Sequence, residues 1–162
     1  MSNSLPSNQL DLLRSILGAS IVSVMRQIFK SDFDLQDYQQ NADGPIELKF
    51  DTVDSIYFDA NAEGFSVGVN AGGMPRYGES YVLSNVGRNS FWSDKINQKI
   101  CKISYLKSSD FTEDYPCEFG IRMHFENGSS VVFEYVDEME FPDTLRIVEK
   151  HDGNNHEEVF VE

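Results

Sequence analysis

The stretch IELKFDTVDSIYFDA, Ile46 to Ala60, lies without a gap over IRMHFENGSSVVFEY, Ile121 to Tyr135. Ile46 matches Ile121, Leu48 matches Met123, Phe50 matches Phe125, Ile56 matches Val131, Phe58 matches Phe133 and Asp59 matches Glu134. Each copy alternates apolar and polar residues, reaches an acid, turns, and alternates again. That period of two belongs to a half-buried antiparallel hairpin. Asn127 and Gly128 supply the positive φ that the tight turn of the second copy needs. Both copies are expected to be hairpins in equivalent places of one sheet, with Phe50, Phe58, Phe125 and Phe133 turned to a single core. Duplication of an ancestral unit and the general likeness of amphipathic hairpins both account for the match.

The segments around the hairpins complete an α+β domain dominated by antiparallel sheet. Leu10, Leu13 and Leu17 fall at helical spacing before Gly18, which predicts a short N-terminal helix from Ser7 to Leu17. Ile21 to Gln27 fits a helical stripe as well as a strand, and its β-branched content favours the strand. Strands are expected at Ile100 to Leu106, around Phe65 to Val69, at Tyr81 to Val86 and at Thr144 to Lys150, with a helical turn near Ser93 to Asn97. Residues 1–6 and 151–162 read as flexible or loosely docked termini of one domain. A chain of 162 residues buries enough surface to fold without a metal or a disulfide.

Motifs for chemistry are sparse. Asp59, Asn61, Glu63 and Gly64 imitate the first half of a calcium loop, but Asn70 stands where the closing bidentate Glu belongs, so a turn with solvated acids is the better reading. His124 falls on the polar side of a strand, and His151 and His156 flank DGNN at a spacing unsuited to a helical metal pair. Cys101 and Cys117 lack zinc-ligand neighbours and read as small buried hydrophobes, with a disulfide between them the less favoured alternative. The glycine-rich Val69 to Tyr81 reads as a surface loop first and a binding loop second. No nucleophile elbow and no phosphate-cradling loop is present. Adjacent acids such as Asp137 and Glu138 share one environment, whereas acid/base catalysis needs two different ones. The sequence therefore predicts no enzyme, no cofactor and no metal.

Charge is the remaining signal. The chain has 27 acidic against 13 basic residues, a net charge of −14. This disfavours direct nucleic-acid and membrane binding and favours a basic protein partner. The acids concentrate in residues 32–63 and 110–162, which bracket a mildly basic middle. If those segments meet, they form one acidic face. The end of the second hairpin crowds Asp137, Glu138, Glu140 and Asp143 beside Tyr135 and Phe141. Acids that steer a partner and aromatic rings that anchor it are the chemistry of an inhibitor. These six residues are the expected partner-binding site, with Asp32 to Glu63 as the next candidate. The N-terminus lacks a basic leader, and ILGASIVSVM is too short to span a membrane, so the chain is expected to be cytoplasmic.

The acidity, the opening LLRSILGASIVSV, the hairpin IELKF and the later FGIRMHFENGSSVVF followed by Asp137 and Glu138 resemble small bacterial immunity proteins that neutralise polymorphic or contact-dependent growth-inhibition toxins. The resemblance implies a non-enzymatic protein that binds a co-encoded toxin domain, often a basic nuclease, and transfers no family residue to this chain. Two other readings stay open: an accessory protein-interaction domain, and a small-ligand module with a pocket lined by Phe50, Phe58, Phe125 and Phe133.

Overall fold

The computed structural model describes residues 7–30, 41–42 (backbone alone), 44–108, 118–139, 143–151 and 156–162. Helix α1 (Ser7–Ser15) precedes strand β1 (Ile21–Phe29), followed by β2 (Asn41–Ala42), β3 (Ile46–Phe50), β4 (Ile56–Asn61), β5 (Ser66–Ala71) and β6 (Tyr81–Ser84). A 3-10 turn at Val86–Arg88 and helix α2 (Ser90–Ser93) lead into β7 (Ile100–Ser108), β8 (Glu118–Phe125), β9 (Ser130–Val136), β10 (Thr144–Val148) and β11 (His156–Phe160). This is the α+β, mainly antiparallel domain that the alternating pattern predicts. Gly18 ends the α1 segment at φ 83°, a left-handed conformation that costs glycine little. The helical turn expected near Ser93 begins earlier, at Ser90, and His156–Phe160 docks as an edge strand on β7.

The strands form two sheets, in the orders β5-β4-β3-β1-β6 and β11-β7-β8-β9-β10-β2. Without β2, both follow one plan: the first long strand lies beside the hairpin on one side and beside the last strand on the other. The registers match in detail. Ile21 opposes Phe50, Val24 opposes Leu48 and Arg26 opposes Ile46; correspondingly, Ile100 opposes Phe125, Ile103 opposes Met123 and Tyr105 opposes Ile121. Both first strands shift register at the same step, between Ile21 and Ser23 and between Ile100 and Lys102. The Ile46–Phe58 pair repeats as Ile121–Phe133, and Asp59–Gly68 repeats as Glu134–Arg146. The non-glycine residues with positive φ obey the same rule: Phe65 (49°) corresponds to Asp143 (47°), and Asn97 (66°) to Gly18.

The two hairpins do not share a sheet, and the expectation that they would is corrected. Each hairpin has one apolar face, and the two apolar faces cover one another across the sandwich. The four rings nevertheless share one core, as expected: Phe50, Phe58, Phe125 and Phe133 are all buried in it. Phe58 stacks on Phe133 with centroids 4.4 Å apart and planes 16° from parallel, and Trp92 lies 6.2 Å from Phe133. This packing occupies the space that a ligand pocket lined by those phenylalanines would need. A second repeat of paired bonds joins the halves: Gly18 N–H donates to Ile100 O and Asn97 N–H to Ile21 O, each at 2.8 Å, around a bridge of Ser20 with Lys99.

Cys101 is exposed rather than buried, because the β7 irregularity interrupts strand alternation where it sits. Cys117 lies outside the described residues. No described helix is long and apolar enough to cross a membrane.

Phe133→Ala is expected to cost about 3–5 kcal/mol, and Phe58→Ala a similar amount. Because the rings touch, the double variant should lose less than the sum. Urea unfolding of the four proteins of this cycle checks both statements.

Candidate functional site

Strand alternation decides which residues of the acidic turn face outward. On β9, Val131, Phe133 and Tyr135 turn inward, so Tyr135 is 8% exposed and belongs to the core. Its hydroxyl donates to Asp143 Oδ1. A Tyr135 ring presented on the surface as an anchor is thereby corrected. Asp143 is held at both ends, since its N–H also reaches Asp137 Oδ1 at 3.3 Å. Asp137 and Glu138 are exposed, and Glu138 accepts from Arg146 Nη2 at 2.7 Å. Glu140 and Phe141 lie outside the described residues.

The neighbouring aromatic that does reach solvent is Phe65, expected to begin a strand with Val67 and Val69 but placed instead in the turn before β5. It closes the turn between β4 and β5 and packs edge-on against Tyr135, centroids 6.0 Å apart. Phe65 is 40% exposed, and Met139 on the other turn is fully exposed. The contact joins Asp59 and Glu63, from the first acidic segment, to Asp137, Glu138 and Asp143, from the second. The β4–β5 and β9–β10 turns of those segments therefore lie at one end of the sandwich, while Asp51, Asp54 and Glu126 stand in the β3–β4 and β8–β9 turns at the other. The turn DANAEG is built by ordinary capping, with Gly64 N–H donating to Asn61 Oδ1 at 3.3 Å.

Not every acid in the second segment is a surface charge. Glu134 is buried on the outer face of its sheet, 2.7 Å from His151 Nδ1 and 3.6 Å from Arg146 Nη1. His151 in turn meets His156 and Phe119 in a cluster of rings with centroids 4.9–6.3 Å apart. Glu158 accepts from Ser104 Oγ at 2.6 Å and from Arg122 Nη1 at 2.9 Å. Its carboxyl is held below the usual range: burial acts against this, and the Ser104 hydrogen bond and Arg122 outweigh it. His124 sits on the outward side of β8 as its alternation predicts, and burial followed by the Arg122 charge depresses its imidazole. Among the described residues, no three His, Cys, Asp or Glu side chains converge as a metal requires.

No protein-family model, no curated protein and no solved structure matches the chain.

Glu118 shows what burying a carboxylate costs here. Burial raises its pKa, only partly opposed by its own backbone hydrogen bond and by Lys107, and its Oε1 is buried with no hydrogen-bond partner. A raised pKa in the folded state means that the folded protein holds the proton more tightly. Stability is then full below the unfolded value and lost as pH rises through the folded one. Glu118→Gln, which removes the charge, should therefore be more stable than the parent at pH 7. The gain should vanish as pH falls through the carboxylate range, which thermal unfolding across pH would show.

Proposed function

We propose that the protein neutralises a basic protein partner, a toxin domain of the kind met by bacterial immunity proteins, through the acidic end of its sandwich. The observation that carries this reading is the Phe65–Tyr135 contact, which brings two acidic turns from separate halves of the chain side by side. Asp137, Glu138, Glu63 and the neighbouring Glu140 steer the partner at long range, and Phe65 with Met139 gives the docked complex apolar contact. Tyr135 and Asp143 support that surface from behind. The net charge of −14 favours such a partner over nucleic acid or an anionic membrane. This reading is non-enzymatic, since Asp137 and Glu138 stand exposed on one turn and share one environment, whereas acid/base catalysis needs two.

Replacing Asp137, Glu138 and Glu140 with Asn and Gln should slow association with the partner about tenfold at low salt and leave dissociation nearly unchanged. Truncating Phe65 to Ala should instead speed dissociation, at about 2 kcal/mol if it is a hot spot. Stopped-flow binding to the domain encoded beside this chain, at two ionic strengths, separates the effects. An unchanged association rate and salt dependence would reduce the acids to a solubilising surface.

A further inference from the structure

The repeat of the two halves exposes one place where they differ in chemistry. In the second half, the end of α2 is closed against the β8–β9 turn: Asn127 Nδ2 donates to Asp94 O at 2.6 Å, and Ser129 Oγ donates to Asn127 Oδ1 at 2.7 Å, which holds that amide in place. Beside them Lys95 Nζ joins Asp94 and Glu149, each at 3.0 Å. The register that matches Phe50 with Phe125 makes Thr52 and Asp54 the counterparts of Asn127 and Ser129. The shared bonding of Gly18 and Asn97 makes Ser15 and Ile16 the counterparts of Asp94 and Lys95. The β4–β5 and β9–β10 pairings make Ala71 the counterpart of Glu149.

Each substitution opens the first half. Ile16 carries no ammonium, Ala71 no carboxylate, and Asp54 cannot donate as Ser129 does. What remains between the end of α1 and the β3–β4 turn is a cleft of about 740 Å³ lined by Leu12, Ser15, Thr52, Asp54, Ala71 and Gly72, within the size range of small-molecule sites. No described donor reaches Ser15 O, whose counterpart Asp94 O accepts from the Asn127 amide. Asp54 is exposed and makes no ion pair with a described residue. The cleft thus has the negative end of a helix and a carboxylate, with no protein cation between them.

We infer that this cleft binds an organic cation, an alkylguanidinium or alkylammonium group, which supplies the donors that Asn127 and Lys95 provide in the other half. The stem packs on Leu12 and Ala71, and the head donates to Asp54 and to the α1 carbonyl end. The group can come from a free amine or from an arginine or lysine side chain of a partner. The inference does not depend on the acidic turns described above.

The test is calorimetric and NMR titration with agmatine, with spermidine and with an arginine-containing peptide, and with acetate as the anionic control. Agmatine should bind and shift the amides of Ser15, Thr52 and Asp54. Asp54→Asn should weaken it about tenfold, and Glu157→Gln, which removes one exposed charge elsewhere, should not. The double variant Thr52→Asn/Asp54→Ser rebuilds the closure of the other half, so it should abolish binding while melting no lower than the parent. Binding by the peptide alone would keep the site and assign the cation to a partner. Absence of binding by every cation at millimolar concentration would overturn the inference. So would binding that survives the double variant, or equal loss with Glu157→Gln.

Discussion

The stack of Phe58 on Phe133 organises this molecule, because the two rings are counterparts of one another in the repeat. Equivalent residues in direct contact, 4.4 Å apart, require the halves to face each other about an approximate two-fold relation. The Ser20–Lys99 bridge obeys the same relation, since its residues also correspond. A half alone would have one apolar sheet face open to water. Burial of that face at about 25 cal/mol per Å² is the main force available to a domain of this size. Two sheets of the same plan, each covering the other, satisfy it without a separate core-forming layer.

Although the core fixes both halves, the halves differ even at buried positions. Lys95 shows how far this can go. It takes the place of buried Ile16 and is itself fully buried, yet its ammonium has the Phe91 carbonyl at 2.7 Å, Asp94 and Glu149 at 3.0 Å, and the Phe91 ring at 4.3 Å. A buried charge survives only with partners of this kind. Arg146 and Gly68 are another such pair. Arg146 answers Glu134 across the strands, whereas a side chain at Gly68 would run into Asp59 Oδ1, so glycine lets that carboxylate lie over the strand.

Much of the fold was legible in the sequence because alternation is a local signal. The hairpins, β1, β7, β10 and α1 follow from periodicity within a few residues of where the structure begins and ends them. The assignment of hairpins to sheets was not legible, since an amphipathic hairpin shows that it has an apolar face and says nothing about what covers it. At the acidic turn, the same alternation that revealed β9 also sends Tyr135 inward, and applying the pattern one residue further would have placed it in the core. Phe65 reads by period as the first residue of an alternating strand, yet its exposure depends on a left-handed backbone at the end of a turn, which sequence period cannot report.

The large negative charge has to be reconciled with a stable sandwich. Self-repulsion grows when like charges share a low-dielectric interior and weakens when they sit at turns in water, where the Debye length at physiological salt is about 8 Å. The described acids divide accordingly. Asp137, Glu138 and Glu63 stand exposed at the turns, while buried Glu134 keeps Arg146 and His151 beside it. Buried Glu47 accepts from Met74 N–H, whereas Glu118 is buried with one oxygen unpartnered and its carboxyl pushed up. The core can therefore carry the acidic exterior with little internal cost. At the β4–β5 and β9–β10 turns this exterior forms a local cluster of charge, since the Phe65–Tyr135 contact places those two turns together.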